Sequence, residues 1–458
     1  MSLYSKFVKH ISFPLIAKKD GLSKLIQDLK LLEKSQFWPR SRINVFQLER
    51  LRFLLIHAYD NTQFYKRRFD EADFNPRKFQ HISEIDRIPF LTKNQIRSHL
   101  QSMIARNYPK SRLRASATGG TTGVKMEFFL DKDCISPKEA ALYRFERWAG
   151  WDIGDSMGLV WTAQQDYVGH WTAKAKMKNK LFGRQVVFPA AIMNEEMVSS
   201  YVDELVCKRP VMIRAFTSPL YEVAKYIIEY CVNLELKGVI TTGEPLYDFQ
   251  RSVISRAFNC GVFDSYRSRE AGPLAQECEE HDSMHINAES LYMEIVPAEG
   301  LENPEPGMGE IVITDLLNYG MPLIRYKMGD MGILSDKLCA CGRGLPLLKK
   351  IAGRSSDMLY TPDKKQITAG SLVLYLVDEA PGLTGQMQII QDKLNHLIIR
   401  ATSDPAPTTE IIEYQKRTVE SLFGKKMKVS FETVSTIPRE KSGKYMFTKC
   451  MLTEDDLL

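Results

Sequence analysis

Thr118, Gly119, Gly120, Thr121, Thr122 and Gly123 stand together in the stretch SATGGTTGVKMEFFLD. Glycines let a backbone approach an anion closely, threonine hydroxyls add donors, and successive N–H groups can converge on phosphate oxygens. The spacing matches neither the Walker pattern nor Gly-x-Gly-x-x-Gly. Read alone, the stretch is a phosphate cradle or a plain hairpin turn.

A second constellation is suited to a metal. CEEH supplies Cys278 and His281, and CAC supplies Cys339 and Cys341. Both lie in loop-like stretches flanking a predicted hairpin, so two short-spaced pairs can close a tetrahedral site of three thiolates and one imidazole, a structural zinc set. His285, in the strand-like MHIN, is the alternative imidazole or simply packs there. Without a metal, the four are unpaired surface residues. Cys134, Cys207, Cys231, Cys260 and Cys450 stand singly among mostly apolar neighbours and read as buried thiols. Eight cysteines in 458 residues make no disulfide framework and fit a reducing, cytoplasmic compartment.

The elements that must position these groups follow from composition and periodicity. With 44% hydrophobic and 26% charged residues the chain is globular, and it is long enough for two or more units. No apolar window is long enough to span a membrane, and the first residues lack a signal-peptide pattern. A formal charge of +6 gives little support to nucleic-acid binding. The basic run KAKMKNKLFGR, 174–184, is a solvated face or a site for an anion or membrane surface.

The first hundred residues show helical spacing, and LTKNQIRSHL offers a capped start at Thr92. The middle alternates strand-like runs (SMGLVW, VMIRAF) with the helical SPLYEVAKYIIEYCVN, the pattern of an α/β core. SLYMEIV and GEIVITDL read as two strands joined by a Pro/Gly/Glu-rich turn. Beyond a boundary near Ser355, QMQIIQD, HLIIRAT and KVSFETV read as strands, with a helix that a Thr-x-x-Glu box opens near Thr408 and Gly424 closes. The expected organisation is a large domain over 1–354 and a small α+β domain over 355–458.

Within this frame TGGTTG resembles the phosphate loop of adenylate-forming enzymes, the superfamily of acyl-CoA synthetases, adenylation domains and luciferases. Its other motifs follow in order: TTGEPL as the adenine segment, FDSYRSREAG as the magnesium motif, YKMGD, GRSSDML at the interdomain hinge, and IPREKSGK. The start of the chain and the pairing of GMPLIRYKMGD with CACGRGLPLLKKIAGRSSDML resemble the phenylacetate-CoA ligase branch, and within it the CapK-type proteins of bacterial polysaccharide clusters.

The resemblance implies an α/β fold with a large multi-subdomain N-terminal part and a mobile C-terminal domain. It implies that Thr118 to Gly123 hold ATP phosphates, and that Gly243, Glu244, Pro245, Asp264, Tyr266 and Arg269 belong to the ATP site. It implies that Glu270 assists Mg2+, that Asp330 and Arg354 meet the ribose, that Ser356 is the hinge, and that Lys444 is the adenylation lysine. An ATP-dependent ligase is therefore expected, forming an acyl-AMP from a small carboxylic acid with release of pyrophosphate. The acceptor is coenzyme A or an amine or hydroxyl on a sugar or polysaccharide precursor. A catalytically inactive nucleotide-binding scaffold is the third reading.

The chain departs from the family pattern at the hinge, where Ser356 replaces Asp or Lys, and in YRSRE, where Arg267 and Arg269 replace Gly and Thr. Those arginines bind an anionic acyl substrate or the α-phosphate, or point outward. Trp148 and Trp151 read as core, His170 and Tyr167 as pocket candidates after a strand. AFTSPL, 215–220, lines the acyl site by resemblance or is a helix start capped by Ser218.

Overall fold

The computed structural model describes residues 3–118, 126–161, 179, 184–190, 193–297, 306–354, 358–368, 386–402, 407–438, 446–452 and 456. The early helices form where the apolar spacing predicts them, at Leu25–Ser35, Arg40–Asn61, Gln63–Glu71 and Lys93–Met103. Thr92 opens the last of these with a capping box. Its hydroxyl accepts from the Gln95 N–H at 3.3 Å, and Gln95 Oε1 accepts from the Thr92 N–H at 3.0 Å.

β1 (Leu113–Ala117) and β2 (Glu127–Asp131) pair antiparallel. The core is an eleven-stranded sheet in the order β10-β11-β12-β13-β9-β8-β7-β6-β5-β3-β4. Its parallel half contains β3 (Met157–Trp161), β4 (Gln185–Pro189), β5 (Met212–Phe216), β6 (Gly238–Thr242) and β7 (Gly261–Ser268). These strands alternate with helices Glu195–Lys208, Thr217–Glu229 and Asp248–Phe258, as the βα alternation in the sequence predicts.

Period-two alternation divides the side chains between two cores. Val160, Ile213, Ala215, Val239 and Val262 pack with those three helices. Met157, Leu159, Met212, Ile240 and Phe263 face the opposite way, onto Leu25–Ser35 and the helix Lys132–Trp148. Burial on both faces is why these strands read as near-continuous apolar runs.

The antiparallel half comprises β8 (Gly272–Glu277), β9 (Met284–Ile286), β10 (Leu291–Val296), β11 (Met308–Asp315), β12 (Tyr326–Ser335) and β13 (Leu347–Arg354). The predicted hairpin is β10 with β11, in register from Leu291 opposite Asp315. Arg325 fastens this half to the early helices. Its guanidinium donates to Glu294 at 2.8 Å and to the carbonyls of Asp86 and Ile88 at 3.0 and 2.7 Å. Arg325→Met would strand the buried Glu294 carboxylate. It is expected to cost about 3–5 kcal/mol in urea unfolding, most of it recovered when Glu294→Leu is added.

Beyond β13 lie the pair β14 (Met358–Tyr360) and β15 (Gln366–Thr368), then a four-stranded sheet in the order β18-β17-β16-β19. Its strands are β16 (Met387–Lys393), β17 (His396–Ala401), β18 (Lys428–Thr433) and β19 (Thr448–Cys450), packed with the helix Thr409–Phe423. Thr408 caps that helix by accepting from the Ile411 N–H at 3.4 Å. The third position holds Ile411, so the expected Thr-x-x-Glu box is a simple threonine cap. Gly424 closes the helix at φ +88°.

Candidate active site and metal centre

The carboxyl ends of β5, β6 and β7 meet on one side of the sheet, where ligands bind in open α/β folds. β6 runs into Gly243, whose φ of +82° favours glycine and where a Cβ would stand 2.4 Å from the Phe216 ring. Glu244, 8% exposed, turns its carboxylate onto the Ser218 N–H at 2.8 Å. Ser218 is therefore not the cap of helix Thr217–Glu229. Glu244 satisfies that helix start, and in doing so locks the Gly243–Glu244 turn against β5.

β12 brings two expected residues into contact with the rest. Tyr266 at the end of β7 donates its hydroxyl to Asp330 Oδ2 at 2.6 Å, and Asp330 lies directly opposite Arg354 across β12 and β13. Tyr326, earlier on β12, donates to Glu270 Oε1 at 3.0 Å, and Glu270 is 6% exposed. Arg269 reaches the Ala117 carbonyl at 3.4 Å. Thr118 is bonded through its N–H and hydroxyl to Met126. Thr118 and Met126 thus extend the β1–β2 pairing, and Ala117 beside them adjoins the Arg269–Glu270 turn.

Asp264 lies two residues before Tyr266 on β7. Burial, with the charge of Glu277 added, pushes its carboxyl up, and its backbone N–H donates to Glu277 Oε2 at 2.9 Å. Glu277 is in turn bound by Arg251 at 2.7 Å. Asp264 belongs to this network and shares a face of β7 with Tyr266. Gly119, Gly120, Thr121, Thr122, Gly123, Ser356, Lys444, His170 and Tyr167 lie outside the described residues, as does the side chain of Arg354. Three positions past Lys444, Phe447 packs on Tyr247 at 5.9 Å between ring centroids, beside the Gly243–Glu244 turn.

Arg267 and Arg269 part company because β7 ends at Ser268, between them. Arg267 turns inward, with Nε on Ser265 Oγ at 2.8 Å and a second contact to Gln276 Oε1 at 3.4 Å. It sits beside Arg214 of β5, which forms an ion pair with Glu146 of the helix Lys132–Trp148. Burial, then the neighbouring Arg214, lowers the Arg267 guanidinium to about 9, while burial raises Glu146. Glu146 Oε2 and Arg214 Nε have no hydrogen-bond partner among the described residues, and Glu146 is 1% exposed. Trp161 and Phe216, ring centroids 4.8 Å apart, wall the same face. The inward Arg214–Glu146 pair was missed in the sequence. Trp148 and Trp151 serve as core, donating to Gln36 Oε1 and the Asp155 carbonyl.

The cysteine constellation closes, with one change of ligand. Cys278, His285, Cys339 and Cys341 place their donor atoms within 4.8 Å of one another. Cys278 Sγ is 3.6 Å from Cys339 Sγ, and Cys341 Sγ is 3.2 Å from His285 Nε2. A tetrahedral zinc with bonds of about 2.3 Å to sulfur sets ligand atoms roughly 3.8 Å apart, so the donor set and spacing fit. His281 is not among the four: it lies in the turn between β8 and β9, outside both strands. Gln276 faces His285 across β8 and β9, so Cys278 and His285 share one side. His281 instead turns to Glu277 Oε2 at 3.2 Å and packs on Phe263. Arg343 backs the cluster, binding Glu279 at 2.9 Å and stacking 4.6 Å over Trp148, whose ring meets His285 edge-on.

The chain compares closely with proteins of one kind. The CapK C-terminal domain family matches residues 359–450. Protein CapK of Staphylococcus aureus is 26% identical over 419 residues, covering 88% of this chain and 89% of CapK. The phenylacetate-coenzyme A ligase of Thermus thermophilus is 28% identical over 330 residues, covering 70% and 72%. Among solved structures, 2-hydroxyisobutyryl-CoA ligase in the postadenylation state superposes with a TM-score of 0.71 at 21% identity, over 91% of each chain. The chain is a homologue of CapK and the phenylacetate-CoA ligases, built on the fold of the adenylate-forming ligases.

Proposed function

We propose that this chain activates a carboxylic acid with ATP, forming acyl-AMP and pyrophosphate, and then passes the acyl group to coenzyme A. The observation that carries the reading is the Tyr266–Asp330 bond near Glu270, with Arg354 opposite Asp330 in the strand register. An acidic side chain held by a tyrosine, opposite an arginine, suits the hydroxyls of a ribose. In the first step a carboxylate oxygen bonds to the α-phosphorus and the bond to pyrophosphate breaks, so negative charge grows where donors must already stand. The 118–123 loop and Arg269 supply such donors, and Lys444 the mobile cation. Glu270, a hard oxygen ligand oriented by Tyr326, would hold magnesium, which neutralises phosphate charge. Residues 1–354 form the catalytic body in this reading, and 355–458 the part that turns about Ser356.

The CapK likeness, which spans more of the chain than the ligase matches, favours a second acceptor, an amine or hydroxyl on a sugar. Loss of preformed acyl-AMP only when coenzyme A is added would select the thiol. The acid itself is read from the inward pair. An ammonium group would be opposed by Arg214 and Arg267, and a second carboxylate by Glu146; a hydroxyl both donates and accepts without charge.

The test is acid-dependent exchange of labelled pyrophosphate into ATP, with hydroxylated acids set against their unsubstituted parents. Hydroxy acids are expected to be preferred about 10- to 100-fold, with the preference narrowed in Glu146→Gln. Equal or better exchange with the parent acids removes the hydroxy-acid reading. Absence of exchange with every acid removes the adenylation reading.

A further inference from the structure

The chain opens with one continuous helical run, Leu3–Phe7, Val8–Ser12 and Phe13–Lys19, whose middle piece is wound as a π-helix. One side is packed against the protein through Ser5, Val8, Ser12 and Ala17. Arg184 donates to Ser5 Oγ at 2.9 Å, and a Cβ on Gly154 would lie 2.4 Å from the Ser5 carbonyl. The other side is apolar and exposed. Leu3, Phe7, Ile11 and Leu15 are 87%, 49%, 52% and 65% exposed, with Tyr4 at 42% beside them.

These residues recur every fourth position. In an α-helix, four residues overshoot a turn by roughly 40°, so a row of this spacing would wander around the axis. The wider π turn rotates less per residue and takes back part of that drift. The run thereby aligns four large apolar side chains on the face that the protein does not cover.

Charge indicates what that face meets. Lys6, Lys18, Lys19, Lys24, Lys30 and Lys34 are exposed, while Asp20 is the one exposed acid between residues 3 and 34. Asp28 and Glu33 are committed to Ser136 and Arg147. A second copy docked face to face would set these lysines against themselves. An aligned apolar row edged by lysines is the pattern of a helix lying in the plane of a membrane interface.

We infer that residues 3–19 dock the chain on an anionic membrane surface, the apolar row entering the interface and the lysines meeting lipid phosphates. The test is co-sedimentation of the full chain with phosphatidylcholine vesicles with and without phosphatidylglycerol. Binding is expected with phosphatidylglycerol and to weaken as salt is raised. It should fall at least about 10-fold in Phe7→Ser/Ile11→Ser/Leu15→Ser and in Lys6→Glu/Lys18→Glu/Lys19→Glu, with circular dichroism unchanged. The inference is overturned if the parent chain does not bind, if it binds both vesicles equally, or if either triple variant binds as well as the parent. It is also overturned if sedimentation velocity shows a dimer that the apolar substitutions dissolve.

Discussion

Lys444→Ala is expected to lower acid-dependent pyrophosphate exchange by about 10²- to 10³-fold or more, while magnesium-ATP binding and the melting temperature stay near those of the parent. The reason is where the charge develops. The five-coordinate phosphorus gathers negative charge from both the attacking carboxylate and the departing pyrophosphate, and a cation that meets it only there stabilises the transition state without strengthening ground-state binding. The segment after Lys444 is anchored: Gln388 donates to the Met446 carbonyl at 3.0 Å, and Phe447 sits on Tyr247. That places Phe447, three positions past Lys444, beside the Gly243–Glu244 turn. Lys444→Arg should not restore exchange, because a planar fork cannot replace a compact point charge on a long stem. Transfer from preformed acyl-AMP should persist in Lys444→Ala, since that half of the reaction does not build charge at the phosphorus. Unchanged exchange in Lys444→Ala would overturn the adenylation assignment.

What the sequence reveals and what it hides divide along the range of the interaction. The Thr92 capping box, the β10–β11 hairpin and the alternation from β5 to its helix depend on neighbours within a few positions, and each is legible in the pattern. The resemblance names Asp330 and Arg354 separately, yet their pairing across β12 and β13 depends on a register set by distant packing. The same limit explains His281. Sequence spacing makes it as suitable as His285; the cross-strand partner of Gln276 puts His285 on the side of Cys278, while the turn that carries His281 delivers it to Glu277. Arg267 and Arg269 differ by two positions, but the strand ends at Ser268, so the alternation that turns Arg267 inward no longer governs Arg269. The Ser218 cap fails for a related reason: a carboxylate from Glu244, in the next βα connection, reaches the helix start first.

The Cys278–His285–Cys339–Cys341 cluster carries the second large effect. Protein purified without added metal is expected to hold about one zinc per chain, lost in His285→Gln and Cys341→Ser but kept in His281→Gln. Loss should cost about 3 kcal/mol or more, or roughly 4 °C in melting temperature for a unit of this size. The cost is that high because the four ligands brace the short strand β9, which pairs with β8 at three positions and with β13 at two. Cys278 closes β8, His285 lies in β9, and Cys339 and Cys341 precede β13, whose last residue is Arg354 opposite Asp330. Arg343, in the same loop, also binds Gln36 Oε1 at 3.2 Å, tying the cluster to the early helices. Removing the metal should therefore loosen β13 and weaken ATP binding more than it slows exchange at saturating ATP. A zinc content near zero in fully reduced protein would remove the metal, leaving four polar side chains whose separations need another account. Loss of zinc in His281→Gln with retention in His285→Gln would instead return His281 to the ligand set in place of His285.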